Sequence, residues 1–260
     1  MPMYQEYGLA GRGAIVTGAG TGMGRAIAVE LAKAGARVAL FGRRSGPIQE
    51  ACEACNTYTP GCIALSVDVS DAEAVKAAVE QVAETFGRID VLVNNAGVES
   101  RLEPGQTFFD DLFDTMEPEE YLKFFRIHSL GHYLMNRAVI PHMQARHFGR
   151  IVNVTSVTGI TGMYSTPAYT SSKAAANCQT KAFAKKYGAD NITVNAIAPG
   201  MVDTPMKIDA TPEEYAAVAA ITPLGHVCQP IEVARVALFF AQEHLFVTGE
   251  TLVVDGGSNL

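Results

Sequence analysis

Short apolar runs alternate along the chain with longer segments in which apolar residues recur at the period of a helix. The first run, GAIVT at 13–17, ends in glycines and precedes the helical pattern GRAIAVELAKAG, for which Gly35 is a stop signal. Apolar runs of this length are typical of strands that are buried on both faces. The predicted strands are 13–17, 37–42, 62–67, 89–95, 149–156, 191–199 and 250–257.

Helical segments connect these runs. Ser70 and Asp71 are candidate N-caps for AEAVKAAVEQVAETFG, which ends at Gly87, and another helix is predicted from about Tyr169 to Tyr187. The alternation predicts a doubly wound, three-layer α/β fold with a seven-stranded parallel sheet and right-handed crossovers. The 260 residues suit a single domain of this kind, covering 1–260. Ligands of such sheets bind beyond the carboxyl ends of the strands.

Composition narrows the classes of function. The chain is 48% hydrophobic and 18% charged, which is typical of a globular fold. A net charge of −7 without a long basic run argues against a nucleic-acid surface. No stretch approaches the about 18 apolar residues of a membrane span, and the first residues lack the pattern of a signal peptide. We therefore expect a cytoplasmic protein without nucleic-acid or membrane partners.

The five cysteines include one C-x-x-C pair, Cys52 and Cys55. Such a pair suggests zinc or redox chemistry, but a structural zinc site needs a second pair of ligands and only Cys62 follows nearby. The favoured interpretation is small side chains on an amphipathic helix, with free thiols and no metal.

A glycine-rich turn, TGAGTGMG at 17–24, joins the first strand to the first helix. Gly18, Gly22 and Gly24 allow a tight turn and a close approach of the backbone to a phosphate. The N-terminus of the following helix favours an anion, because its N–H groups lack partners within the helix. The turn therefore predicts a dinucleotide site.

The end of the second strand is expected to select the cofactor. An acidic residue there would bind the ribose hydroxyls of NAD, but this chain has Gly42, followed by Arg43 and Arg44. Guanidinium groups bind a 2′-phosphate in a bidentate manner. We therefore predict a preference for NADP(H) over NAD(H); the alternative is that both arginines are solvated loop residues.

Six motifs, in this order, resemble those of the short-chain dehydrogenase/reductase family over nearly the whole chain. They are TGAGTGMG, DVSD at 68–71, NNAG at 94–97, TSVTG with YTSSK, PGMVDT at 199–204, and VTGETLVVDGG. The resemblance implies a Rossmann-like fold, a homotetramer and a structural role for Asn94 in the sheet. It implies cofactor contacts at Gly18, Thr21, Gly22, Met23, Gly24, Asp68, Val69, Asn95, Ala96, Gly97, Tyr169, Lys173, Pro199, Gly200, Val202 and Thr204.

Candidate catalytic residues follow the fifth strand. Tyr169 and Lys173 are four residues apart and share one helix face, and Ser156 precedes Tyr169 by thirteen residues. A free tyrosine, with a pKa near ~10, exchanges protons poorly at neutral pH. We expect the ammonium of Lys173 and an oxidised nicotinamide ring to lower that pKa, while Ser156 binds the substrate oxygen. The resemblance also assigns Lys173 to the nicotinamide ribose. The alternative is a surface helix pair and a strand-end hydroxyl.

The chain departs from the family pattern in two places. An acidic insertion at about 98–120, with Phe108, Phe109, Leu112 and Phe113, forms either part of the pocket wall or subunit contact, or a plain surface loop. His128 stands where the family has an asparagine that holds a relay water. His128 could hold that water, titrate near neutral pH itself, or mark a broken relay. With His132, four residues on, it could also bind a metal, but no third ligand is evident and no metal is expected.

The loop at about 204–224 is expected to cover the substrate, and Thr211 before PEE predicts a capped helix there. Its apolar residues, together with Met163 and Tyr164, suggest a hydrophobic secondary alcohol or ketone such as a hydroxysteroid or bile acid; core packing is the alternative. These loop residues are Met206, Ile208, Val218 and Ile221.

Two other functions stay open. A reductase of 3-oxoacyl groups on an acyl-carrier protein would need a basic patch for its acidic partner, for which Arg126, Arg137 and Arg146 are the candidates. A cofactor-binding scaffold with weak activity is the non-enzymatic alternative. The intact Ser156, Tyr169 and Lys173 weigh against it, and the change to His128 weighs slightly for it.

Overall fold

The structure is a computed structural model that describes residues 7–99, 115–162, 165–207 and 211–259. No helix within these ranges is long and apolar enough to cross a membrane. Several residues assigned above to the pocket wall lie outside the described residues. They are Phe108, Phe109, Leu112, Phe113, Met163, Tyr164 and Ile208.

Seven parallel strands form one sheet in the order β3-β2-β1-β4-β5-β6-β7. The strands are β1 (Gly13–Thr17), β2 (Arg37–Gly42), β3 (Ile63–Ser66), β4 (Val91–Asn94), β5 (Gly149–Val154), β6 (Ile192–Pro199) and β7 (Thr251–Val254). The predicted fold class is confirmed, although several strands are shorter than their apolar runs. The reason is clear for β4, which ends at Asn94 because the next two amides donate to the side chain of Thr17.

Helices cover both faces of the sheet. They are α1 (Gly22–Lys33), α2 (Ser45–Asn56), α3 (Ala72–Phe86), α4 (Pro118–Phe125), α5 (Gly131–Gln144), α6 (Thr158–Thr161), α7 (Pro167–Tyr187), α8 (Pro212–Ile221) and α9 (Pro230–Ala241). Buried side chains of α1, α2 and α9 pack on one face, and those of α3, α5 and α7 pack on the other. The caps of α3 are those predicted: Asp71 accepts from two amides of the first turn, and Gly87 ends the helix in the left-handed conformation.

The segment around His128 is not one continuous helix. A π-helical turn, Arg126–Leu130, separates α4 from α5, so the pattern FRIHSLGHYL spans three elements. The three candidate arginines are also divided among different elements: Arg126 lies in the π turn, Arg137 in α5, and Arg146 beyond the end of α5.

Cys52 and Cys55 lie on the buried face of α2, Cys62 is also buried, and all five cysteines are free. The sulfur of Cys62 accepts a hydrogen bond from the N–H of Val38 at 3.3 Å. Within the described ranges no group of His, Cys, Asp or Glu is arranged to hold a metal ion. The C-x-x-C pair therefore belongs to the core.

A buried carboxylate, Asp90, connects the amino-terminal ends of β1 and β4. It accepts from the amide of Gly13 at 2.9 Å and from Arg88, whose Nε and Nη2 lie 2.6 and 2.7 Å away. Arg12 approaches the same carboxylate at 3.4 Å. Because Asp90 is fully buried, its removal would leave these donors without their acceptor.

Replacing Asp90 with alanine is expected to lower the free energy of unfolding by about 3 kcal/mol, the usual cost of breaking a buried charge pair. Urea denaturation measures it. Glu84→Ala, on the exposed face of α3, is the control and should change stability by less than about 0.5 kcal/mol. A loss at Asp90 no larger than the loss at Glu84 would contradict the assigned role.

Candidate active site

The glycine-rich turn lies between β1 and α1, at the point where the strand order reverses between β1 and β4. Gly18 has φ +64°, and a Cβ on Gly24 would lie 2.2 Å from the carbonyl oxygen of Gly18. A side chain at Gly24 would therefore force the turn open. Thr21, the N-cap of α1, makes no side-chain hydrogen bond to the helix, which leaves amides of the first turn for an anion such as the cofactor's diphosphate.

Thr17 and Asn95 brace this turn against the end of β4. The hydroxyl of Thr17 accepts from the amides of Asn95 at 2.9 Å and Ala96 at 3.0 Å, and Asn95 Nδ2 donates to the carbonyl oxygen of Thr17 at 3.0 Å. Sequence reasoning missed Thr17, because a threonine at the end of an apolar run gives no sign of its partner. The brace brings Asn95, Ala96 and Gly97 beside the predicted phosphate site.

The predicted adenosine contacts lie at the ends of β2 and β3. Asp68 accepts from the amide and the hydroxyl of Ser70, at 2.9 and 2.7 Å. Burial alone would raise the pKa of Asp68, but these bonds and the charge of Arg43 together lower it. Arg43 and Arg44 are exposed just after β2. Val69 packs against the start of α5, where a Cβ on Gly131 would lie 2.9 Å from its side chain.

The predicted nicotinamide contacts lie after β6. Val202 is buried and pairs with Cys228 through an isolated bridge. Thr204 lies beside the phosphate turn, because a Cβ on Gly22 would come within 3.2 Å of its side chain. The glycine-rich turn and the segment 199–204 therefore lie side by side at Gly22 and Thr204. Thr21 is the N-cap of α1, and Met23 lies in its first turn.

Ser156, Tyr169 and Lys173 lie around the end of β5. Ser156 Oγ accepts from the amide and the hydroxyl of Thr158, at 3.2 and 3.0 Å. Its own proton is directed at the phenol of Tyr169, with which Ser156 also shares a hydrogen bond. Lys173 Nζ donates to the carbonyl oxygen of Val154 at 3.0 Å and lies 5.6 Å from the centre of the Tyr169 ring.

Burial dominates the proton affinities of this pair. It raises the pKa of Tyr169, helped by the negative charge of Glu99 and opposed by a hydrogen bond with Ser156. It lowers the pKa of Lys173 to about 8, while Glu99 acts in the opposite direction. Without a cofactor the pKa of Tyr169 is therefore above its ordinary value. The expected lowering by the ammonium of Lys173 together with the positive ring of an oxidised nicotinamide stays a prediction.

His128 is fully buried in the π turn, and both of its ring nitrogens have protein partners. Nε2 accepts from the amide of Val98 at 3.0 Å, and Nδ1 lies 2.9 Å from the hydroxyl of Ser172. Because that hydroxyl donates to the carbonyl oxygen of Tyr169 at 2.8 Å, we assign the ring proton to Nδ1. His128 is thus a neutral group that connects the loop after β4 to the catalytic helix α7.

The surroundings of His128 correct two expectations. Burial, with the charge of Lys173, lowers its pKa well below the usual value, so it does not titrate near neutral pH. Neither ring nitrogen is left to hold a relay water or a metal. Its ring packs edge-on against Tyr169, with centroids 5.3 Å apart, and a Cβ on Gly97 would lie 3.1 Å from Nε2.

His132, the second histidine of the pair weighed above as a metal site, lies deep inside the protein. It is 2% exposed, and neither ring nitrogen has a hydrogen-bond partner within the described part of the chain. Burial and the nearby charge of Lys173 lower its pKa to about 3. The sequence shows a histidine one turn after His128, but it does not show how deeply that histidine is buried.

The described part of the substrate loop contains α8. The hydroxyl of Thr211 accepts a hydrogen bond from the amide of Glu214, and the carboxylate of Glu214 accepts one from the amide of Thr211. This capping box confirms the predicted capped start of the helix. Met206 and Ile221 are exposed, whereas Val218 is half-buried. The hydroxyl of Tyr215 donates to Asp203 at 3.2 Å and ties α8 to the segment beside the nicotinamide site.

Comparisons with known proteins extend over almost the whole chain. A family profile described as Enoyl-(Acyl carrier protein) reductase matches residues 18–259. The 3-oxoacyl-acyl-carrier-protein reductase of Thermotoga maritima is 36% identical over 252 residues, covering 96% of this chain and 98% of the relative. A 3alpha-hydroxysteroid dehydrogenase of Mediterraneibacter gnavus is 35% identical, with 94% and 96% covered.

A solved structure gives the same result. The crystal structure of a 3-ketoacyl-(acyl-carrier-protein) reductase from Brucella melitensis, complexed with NADH, superposes with a TM-score of 0.85. It is 29% identical, and the match covers 97% of this chain and all of the other.

Two neutral, buried histidines predict a loss of stability in acid. In the unfolded chain a histidine has a pKa near ~6.5, whereas burial lowers the pKa of both histidines in the folded chain. Below pH ~6.5 the unfolded state therefore binds protons that the folded state does not bind. The free energy of unfolding should therefore fall with decreasing pH below ~6.5, by up to about 1.4 kcal/mol per pH unit for each histidine.

Urea denaturation between pH 7 and pH 5 measures this slope, and His132→Leu should reduce it by about one proton's contribution. Gln81→Leu, on the exposed face of α3, is the control and should keep the wild-type slope, because it removes no ionisable group. An identical slope for wild type and His132→Leu would contradict the prediction.

Proposed function

The chain belongs to the short-chain dehydrogenase/reductase family, and from this membership we propose that it interconverts a secondary alcohol and a ketone with NADP(H). The observation that carries the proposal is the convergence of Ser156, Tyr169 and Lys173 at the end of β5, beside the glycine-rich turn. That the protein is an oxidoreductase follows from the family. The cofactor preference and the substrate class are the parts proposed.

In the direction of reduction, NADPH held by the glycine-rich turn and Arg43 would supply the hydride and would become NADP⁺. Ser156 Oγ, which already accepts two hydrogen bonds, directs its proton to the substrate oxygen and polarises the ketone. Tyr169 donates its phenolic proton to the same oxygen as charge develops there. The products are the secondary alcohol and a tyrosinate.

Lys173 has two tasks in this scheme. Its ammonium, anchored to the carbonyl oxygen of Val154, is positioned to hold the hydroxyls of the nicotinamide ribose. Its charge also stabilises the tyrosinate after proton transfer. With a pKa of about 8 it is mostly protonated at neutral pH, as both tasks require.

His128 acts in this proposal as a positioning residue. It forms hydrogen bonds with the amide of Val98 and the hydroxyl of Ser172, and its ring packs edge-on against the ring of Tyr169. This keeps the phenol directed at the substrate without any change of charge on the imidazole.

The exposed arginines support NADP(H). Arg43 follows β2 and lies close enough to Asp68 for its charge to affect that carboxyl group. A 2′-phosphate on the adenosine ribose would add a second anion for Arg43 and Arg44 to bind. Gly42 offers no carboxylate to compete for the ribose hydroxyls.

A hydrophobic substrate, such as a hydroxysteroid or bile acid, is the first candidate. Met206 and Ile221 present exposed apolar surface in the substrate loop, and one relative is named a hydroxysteroid dehydrogenase.

The second candidate is a 3-oxoacyl group carried by an acyl-carrier protein, which the reductases among the relatives favour. Two ion pairs in α4 and the π turn weigh against it, because Arg126 lies 3.4 Å from Glu119 and Lys123 lies 3.1 Å from Glu120. These pairs reduce the positive field that an acidic carrier would meet.

NADPH oxidation with 3-ketosteroids and with 3-oxoacyl thioesters separates the two candidates. The tetramer also remains a proposal, which light scattering after size-exclusion chromatography would test.

Tyr169→Phe removes the proton donor while keeping the ring. We expect kcat to fall by about 10²–10⁴-fold, while NADPH binding, followed by the enhancement of its fluorescence, stays within about twofold. Tyr187→Phe, at the end of the same helix, is the matched control and should keep full activity. Wild-type turnover in Tyr169→Phe would refute the assignment.

Arg43→Ala is expected to raise the KM for NADPH by about tenfold or more, because one charge-assisted bond is worth about 1.5–3 kcal/mol. The KM for NADH should change little. Steady-state kinetics with both cofactors measure this, and Arg146→Ala, beyond α5, is the control. A wild-type preference for NADH would contradict the proposal.

A further inference from the structure

The helix of the substrate loop, α8, lies outside the core. None of its ten residues, Pro212–Ile221, is buried, although most of them are apolar. Isolated helices of this length are marginally stable in water, and most of the stability of a protein helix comes from packing against other elements. Because α8 buries no side chain, its position depends on the contacts made near its two ends.

The carboxyl end of α8 is anchored to the segment after β7. Thr222, the C-cap of α8, is buried, and a Cβ on Gly256 would lie 2.6 Å from its side chain. The amide of Leu224 donates to the carbonyl oxygen of Gly256 at 3.3 Å. Gly225 follows with φ +76°, a left-handed conformation that favours glycine. This end of the helix is therefore a fixed point about which the rest of α8 can turn.

The amino-terminal half of α8 is held by the side chain of Tyr215. The hydroxyl of Tyr215 donates to Asp203 Oδ1 at 3.2 Å. Among the described residues this is the one side-chain hydrogen bond that leads from α8 to the rest of the chain. Burial, together with the charge and the hydrogen bond of Asp203, raises the pKa of Tyr215, so the phenol stays a donor at neutral pH. We call this hydrogen bond the latch.

The acceptor of the latch is itself fixed in place. The amide of Asp203 donates to the carbonyl oxygen of Cys228 at 2.9 Å, beside the bridge between Val202 and Cys228. The second carboxylate oxygen of Asp203 lies 3.5 Å from Nε2 of Gln229, the N-cap of α9. Thr204, the next residue, lies beside the glycine-rich turn. The latch therefore ties a helix without core contacts to a braced segment next to the predicted nicotinamide site.

We propose that Tyr215 is a positioning residue that holds α8 over the bound substrate through Asp203. With the latch formed, the apolar helix lies beside the segment 199–204 and encloses the substrate. With the latch broken, α8 turns away about its anchored end at Thr222 and the substrate loses that contact. A single exposed hydrogen bond suits this task, because it is weak enough to open once in each turnover.

The inference rests on the proposed function for its kinetic consequence and on the contacts of α8 for the latch. Tyr215→Phe removes the hydroxyl and keeps the ring. The KM for the ketone should rise about threefold to tenfold, because an exposed hydrogen bond to a charged acceptor is lost, while kcat and the Kd for NADPH stay within about twofold. NADPH oxidation with a 3-ketosteroid and with a 3-oxoacyl thioester measures these constants. Tyr58→Phe, which removes an exposed phenol beyond α2, is the matched control and should equal wild type. An unchanged KM in Tyr215→Phe would overturn the proposal.

A double-mutant cycle tests whether Asp203 is the partner through which Tyr215 acts. Asp203→Ala removes the acceptor of the latch and also the contact with Gln229, so this variant alone should raise KM at least as much as Tyr215→Phe does. Adding Tyr215→Phe to Asp203→Ala should then change KM by less than about twofold, because the bond is already absent. Losses that multiply independently would show that Tyr215 acts through another group and would overturn the latch.

Hydrogen exchange of the α8 amides provides a test that does not depend on turnover. Mass spectrometry of peptides from the full chain, saturated with NADPH, should show exchange in α8 that is about threefold or more faster in Tyr215→Phe than in wild type. Peptides from α7 should exchange at the same rate in both proteins. Equal exchange of α8 in the two proteins would overturn the latch. If α8 exchanges faster but neither ketone is reduced, the proposed function fails and the latch stands.

Discussion

The hydrogen bond from Lys173 to the carbonyl oxygen of Val154 determines the arrangement around it. A flexible, charged side chain is held inside the protein by the last residue of β5, and this fixes α7 against the sheet. Ser156 follows two residues after Val154, and Tyr169 lies one turn before Lys173, so the three proposed catalytic groups share one anchor. Burial then decides their proton affinities, because it opposes the charged form of both the amine and the phenol.

An enclosed ammonium group limits what can surround it. The two histidines nearest to Lys173 are neutral, and burial together with its charge keeps them so. Neutral imidazoles add hydrogen-bonding capacity without a second positive charge, which would destabilise the lysine. His128 uses that capacity to join the loop after β4 to α7, whereas neither ring nitrogen of His132 has a hydrogen-bond partner among the described residues. Two residues of the same type, four apart, thus have different tasks because their surroundings differ.

Much of this molecule was predictable from the amino-acid order. Apolar runs and helical periods predicted the parallel sheet, and glycines between a strand and a helix predicted the phosphate turn, because both signals are local. Three features could not be predicted, because each depends on which distant segment packs there. They are the hydrogen bonds of Thr17, the π turn and the depth at which His132 is buried. The effect of burial on the pKa values of Tyr169 and Lys173 was hidden for the same reason: spacing brought the two residues close but did not reveal how much water was excluded.

The π turn also bears on how chains of this kind compare in length. In an unbroken α-helix, residues eight apart are about 80° out of phase. Phe124 and His132 are eight apart and both buried, and the five-residue turn Arg126–Leu130 between them takes up one extra residue. A chain one residue shorter here would present the same two faces with an ordinary helix. An alignment gap at this turn would therefore record a change in helical winding and leave the packing of α4 and α5 unaltered.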